Sequence, residues 1–129
     1  MTTKTEGLRA GDLIVFELDK HYSRRSATIA SGEGELPAGA VLGEVTASGK
    51  LVHSPNASVV GKEGAETATA VLTNAVDATG ADVAGVVVDD IAIVNRSNLS
   101  FHASVDDATK RQAKIDQLAA ARIKARTGA

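Results

Sequence analysis

The chain contains no cysteine and no tryptophan. Disulfides and thiolate chemistry are therefore excluded, and a reducing compartment is compatible. Only Phe16, Tyr22 and Phe101 are aromatic. The core must then be built from Val, Ile, Leu and Ala, where each large aliphatic side chain contributes about 1.5–3 kcal/mol when fully buried. A core of that kind leaves stability marginal, so association with other chains helps. No apolar run approaches the ~20 residues of a membrane span. The first residues, MTTKTEGLRAGD, lack the apolar centre of a signal peptide. A formal net charge of −2 argues against a general nucleic-acid binder.

Patterns that carry chemistry are also missing. His21, His53 and His102 make no His-x-x-x-His pair, the spacing that a zinc site on a helix favours. No Gly-x-Ser-x-Gly elbow is present for a Ser-His-Asp hydrolase. Asp77, Asp82, Asp89, Asp90, Asp106 and Asp107 do not form a calcium loop of alternating oxygen ligands. Turns, a solvated edge and a helix cap explain them. Gly32, Gly34, Gly39 and Gly43 do not form a phosphate loop, and strand ends explain them better. Asn56, Asn95 and Asn98 begin Asn-x-Ser triplets that read as chance matches in turns. Lys50, beside Gly49 near a hairpin tip, has the placement of a lysine in a lipoyl or biotinyl carrier domain, but the usual Met or acidic neighbour is absent. The expectation is no catalytic residue, no cofactor and no metal.

At 129 residues the chain is read as one domain. Residues 1–12 are small, polar and Gly-containing, the composition of a flexible arm. Leu13 to Leu18, LIVFEL, is the most hydrophobic patch near that end. It is either a strand of the domain's own sheet or an arm that orders on a partner. On the second reading Leu13, Ile14, Val15, Phe16, Glu17 and Leu18 pair with an exposed strand edge. Alternation then sends Ile14, Phe16 and Leu18 to the buried face.

Ser26 to Ser31 is predicted as a strand and Gly32 to Glu35 as a loop. Leu36 to His53, LPAGAVLGEVTASGKLVH, is predicted as a hairpin. Val41, Leu42 and Val45 lie on its first strand, Leu51 and Val52 on its second, with a tight turn at Ser48-Gly49. Residues 54–66 are loop, with a short strand at Val59-Val60. Thr67 to Val76 is a strand and Asp77 to Gly80 a turn. Val83 to Val94 gives two strand pieces with Asp89-Asp90 at a bend or on a solvent face, and Leu99 to His102 a short last strand. A helix is predicted from Ser104 to Arg126, stopped by Thr127-Gly128. Ile115, Leu118 and Ile123 lie on its packing face. Its basic residues, Lys110, Arg111, Lys114, Arg122, Lys124 and Arg126, are expected to meet water.

Two segments resemble a known family. Gly39 to Lys50 reads Gly-Ala-Val-Leu-Gly-Glu-Val-Thr-Ala-Ser-Gly-Lys, and Val76 to Thr79 reads Val-Asp-Ala-Thr. Both are similar, in order and separation, to the head decoration proteins of tailed bacteriophages, across roughly residues 26 to 101. The resemblance implies a mainly β fold: a β-clip, which is an incomplete small barrel, here with a flexible N-terminal arm and a C-terminal α-helix. The division expected is an arm over 1–25, a β-rich decoration domain over 26–103, and a helix over 104–129 packed on or beside it. The function implied is a non-enzymatic cement protein. It binds the major capsid protein as homotrimers at three-fold positions on the outer surface of the virion and stabilises the expanded capsid. No nucleic acid or membrane is involved, and the protein is made in the host cytoplasm. The C-terminal helix is long and Arg/Lys-rich for that family. The alternatives are a secreted or surface β-rich binding module and, more remotely, the lysine-modified carrier.

Overall fold

Three pairs of adjacent apolar residues set the layering: Val41-Leu42, Val71-Leu72 and Val87-Val88. Successive residues of a strand point to opposite faces. Leu42, Leu72 and Val87 point inward to one core, with Ile29, Leu36 and Leu51. Val41, Val71 and Val88 point outward into a second, with Leu13, Val94, Leu118 and Ile123. Strands apolar on both faces need a covering layer, and the chain supplies one from its two ends.

The computed structural model describes residues 13–17 and 23–126. Its strands are β1 (Ile14–Glu17), β2 (Arg24–Ile29), β3 (Gly34–Leu36), β4 (Val41–Glu44), β5 (Leu51–His53), β6 (Ala68–Leu72), β7 (Val76–Ala78), β8 (Val83–Val88), β9 (Ala92–Asn95) and β10 (Ile123–Arg126). A 3₁₀ turn spans Arg96–Asn98, and an α-helix, α1, spans Ala108–Ala120. The fold is thus mainly β, with a small barrel and a C-terminal helix, as expected.

The barrel runs β2-β5-β4-β6-β8 and closes between β8 and β2. Between β2 and β5 it is held by the single parallel pair Ile29–Leu51 and by the Ala30 amide, which donates to the Leu51 carbonyl at 3.0 Å. β3 and β7 form a separate ribbon. The outer layer is a three-stranded sheet, β1-β9-β10, together with α1. β1 runs antiparallel to β9 and β10 parallel to it. Parallel neighbours need a crossover between them, and α1 lies within that connection.

The C-terminal expectation needs correction. The helix begins at Ala108 rather than Ser104, because Asp107 is the N-cap and its carboxylate accepts from the Lys110 amide at 2.8 Å. It ends at Ala120, and Ile123 lies on β10, not on the helix. Nothing in the sequence forces that stop. Arg122 takes a left-handed φ of 67°, which turns the chain out of the helix. Ile123 to Arg126 then pair with Ala92 to Asn95. A β-branched residue with a strand to pair against is better placed there than in a frayed last turn. Ile115 and Leu118 do sit on the buried face of α1, and Ile123 is fully buried on its strand.

Other boundaries also moved. Thr67 to Val76 is not one strand: β6 stops at Leu72 and Val76 starts β7, which extends into the expected turn. The Asp77 carboxylate still caps that turn, accepting from the Thr79 amide at 3.0 Å. Gly34 to Leu36, expected partly as loop, is β3. The central hairpin is closed by a longer loop than a two-residue turn. The Val45 amide donates to the Lys50 carbonyl at 2.9 Å, with Gly49 at a φ of 73°. Leu99 to His102 makes only an isolated bridge, Ala40–Ser100, and Val59-Val60 is a turn.

Candidate functional site

The described end of the N-terminal segment lies at a sheet edge. β1 pairs with β9 on one side, and no strand pairs with its other side among the described residues. Leu13 is fully buried and Ile14 packs on the outer core. Pairing with β9 is irregular between Ile14 and Phe16. Strict alternation is lost there, so Val15 and Phe16 are both turned outward, 40% and 51% exposed. Glu17 is held by Arg24 of β2 in a two-point pair at 2.8 and 2.9 Å. Leu18 and residues 1–12 lie outside the described residues, as do His21, Tyr22 and Thr127-Gly128.

The neighbouring corner between β8 and β9 is tightly braced. Ile91 has a φ of 31°, costly for a β-branched residue. Arg122 grips Asp90 at 2.6 and 2.8 Å, and Arg25 pairs with Asp89. The Ser23 hydroxyl donates to the Ile91 carbonyl at 3.0 Å. The acidic pair is therefore at a bend, as one of the two sequence readings has it. Its charges are spent on holding the sheet to the barrel.

Lys114 is the main departure from the sequence reading. Expected in water with the other basic residues of α1, it is 1% exposed. Its ammonium donates to Ser54 Oγ at 2.9 Å, to the Pro55 carbonyl at 2.6 Å and to the Glu66 carbonyl. Burial lowers its pKa from the ordinary lysine value, and the nearby Glu66 charge opposes that. The signal was in the sequence. Lys114 lies next to Ile115 and one turn before Leu118, on the apolar stripe itself. Its role is to close the base of the 54–66 loop, whose tip presents Val60 at 95% exposure.

Two histidines far apart in sequence also meet. The rings of His53 and His102 lie edge to face with centroids 5.6 Å apart. Among the described residues no group of three or more His, Cys, Asp or Glu is placed to hold a metal ion. The ammonium of Lys50 pairs with Asp82 at 2.6 Å.

Apolar side chains on a sheet edge, beside a β barrel whose polar groups are used in bracing, suit a surface that binds protein. The family model for bacteriophage lambda head decoration protein D matches residues 3–123. The chain belongs to that family. It is a phage head decoration protein, a component of the virion capsid, and the family's role is structural rather than catalytic. No curated protein matches the chain. The match takes in β1, the whole barrel and α1, and reaches the first residue of β10. No helix among the described residues is long and apolar enough to cross a membrane.

Proposed function

We propose that this decoration protein sits as a homotrimer at three-fold positions on the outside of the phage head and cements the expanded capsid through β1. The observation that carries this reading is the outer edge of β1, which pairs with no other strand among the described residues, with Val15 and Phe16 exposed beside it. A free edge offers unpaired backbone N–H and C=O groups to a capsid strand, and the two side chains add apolar contact. Leu13, Ile14, Val15, Phe16, Glu17 and Leu18 are the proposed contact segment. Within it Leu13 and Ile14 anchor the strand to its own core, while Val15 and Phe16 face outward.

Cementing then follows from linkage. A protein that binds only the expanded lattice stabilises that lattice by mass action. Three copies of the edge on one trimer raise the effective concentration of the second and third contacts once the first has formed. Neither effect needs a catalytic group or a cofactor.

Phe16→Asp tests the reading. Phe16 is half exposed, so the substitution leaves the fold and its unfolding midpoint close to wild type. It places a charge in the proposed apolar contact. Binding to expanded capsids, measured by sedimentation, is expected to weaken at least about tenfold, the scale of an aromatic anchor. Wild-type affinity in this variant would move the contact off β1.

A further inference from the structure

We propose that the tip of the 54–66 loop is a rigid apolar knob, seated in the groove beside the β3–β7 ribbon of a neighbouring copy of this chain. The contact rests on the homotrimer proposed above and says which surfaces build it. The tip is Val59-Val60, and Val60 is almost wholly exposed. One apolar side chain alone on a surface needs no explanation. Two adjacent valines on a braced tip do.

The bracing runs through the whole loop. The Lys62 amide donates to the Val59 carbonyl at 2.9 Å, which folds the tip into a turn. The Thr46 amide donates to the Glu63 carbonyl at 3.0 Å, which ties the loop to the chain after β4. At the base, Lys114 holds Ser54 and Pro55, and the Asn56 amide donates to Ser104 Oγ at 2.9 Å. A loop fixed in this way loses little freedom on binding, so its tip is preorganised for a contact.

The loop's charges are sorted. Glu63 turns back to accept from the Gly61 amide at 2.9 Å, and Glu66 from the Gly64 amide at 2.8 Å. Lys62 reaches Glu33 at 2.6 Å, yet its side chain stays 41% exposed. The tip thus presents two valines and a cation.

The groove has the complementary character. Leu36, Pro37, Ala75 and Val76 line an open space of about 570 Å³, ample for two valine side chains. Glu35 and Asp77 stand at its side, opposite each other in the register of β3 and β7, and both are exposed. Neither carboxylate has a cationic partner among the described residues. Apolar tip meets apolar floor, and Lys62 approaches two acids. Because knob and groove are different surfaces, the contact is head to tail, the kind that closes into a ring. Three copies close it.

The chain contains no cysteine, so a pair placed at Val60 and Ala75 reports this contact alone. The full chain carrying Val60→Cys and Ala75→Cys is treated with a short bismaleimide at low concentration, free and on expanded capsids, then denatured. A covalent trimer is expected, and no cross-linked species from Val60→Cys alone. A trimer seen by light scattering or on the capsid that does not cross-link between these positions overturns the contact and leaves the trimer standing. No trimer in either setting overturns both. Dimers from Val60→Cys alone would mean a two-fold contact and overturn it as well. Val60→Asp gives a second reading. The site is exposed, so the fold is kept, while a carboxylate is set against Glu35 and Asp77. The concentration at which the trimer half-dissociates is expected to rise at least about tenfold, the scale of one buried valine. An unchanged trimer with weakened capsid binding would assign the tip to the capsid and overturn the proposal.

Discussion

Lys114→Met is expected to lower the unfolding free energy by about 2–6 kcal/mol, the cost of leaving one buried and one partly buried carbonyl without donors at about 1–3 kcal/mol each. The carbonyls are those of Pro55 and Glu66. Ser54 is less affected, because its hydroxyl already donates to the Ala65 carbonyl at 2.7 Å. Methionine fills much of the same volume, so the loss reports hydrogen bonding rather than a cavity. Removing a buried charge recovers part of its desolvation cost, which keeps the estimate from running higher. Denaturant titration reads the difference. A loss under about 1 kcal/mol would mean that the ammonium is not what closes the loop.

Gly43→Ala is expected to destabilise by about 3 kcal/mol or more, the upper end for overpacking. The reason is backbone, not side chain. A Cβ on Gly43 would lie 2.0 Å from the Ala65 carbonyl oxygen and 2.8 Å from that of Thr67. Neither can move freely. The Ala65 carbonyl accepts from Ser54, and the Ala68 amide just beyond is bonded to Gln117 at 2.8 Å. The substitution and Lys114→Met thus strain the same junction from opposite sides. Because Gly43 faces the Ala65 carbonyl that Ser54 bonds, and Lys114 bonds that same Ser54, their effects should couple rather than add. Thermal unfolding of the single and double variants checks both points. A wild-type midpoint in Gly43→Ala would show that β4 and the loop base do not touch.

How much of this was legible in the sequence depends on the range of the interaction. The hairpin strands, the two strand pieces around Asp89-Asp90 and the apolar stripe of Ile115 and Leu118 are local patterns, and they are present. The end of the helix at Ala120, and the turn at Arg122 that follows it, are not local. Both depend on β9 being available as a partner for Ile123 to Arg126. The same holds for the split of Thr67 to Val76, since Val76 to Ala78 pairs with Gly34 to Leu36.

At the candidate contact segment, the sequence left open whether Leu13 to Leu18 is a strand of the domain or an arm. Among its described residues, the structure gives β1 an inner anchor and an outer edge. Leu13 supplies the first, Val15 and Phe16 the second. The irregular pairing that exposes Val15 and Phe16 together has no sequence signature, because strict alternation assigns them to opposite faces. Lys114 was misjudged by residue type rather than by position: its helical spacing already placed it on the buried stripe. The His53–His102 contact needs the Ala40–Ser100 bridge to bring the segments together, so spacing alone could not show it.

The central claim is that this decoration protein grips the capsid by the edge of β1 that faces away from β9. A cryo-electron reconstruction of expanded capsids saturated with the full chain tests it most directly. The prediction is trimers at three-fold positions on the outer surface, with a capsid strand hydrogen-bonded along Ile14 to Glu17 and apolar capsid side chains against Phe16. Density at two-fold or five-fold positions only, or a trimer whose β1 edge faces solvent, would contradict it.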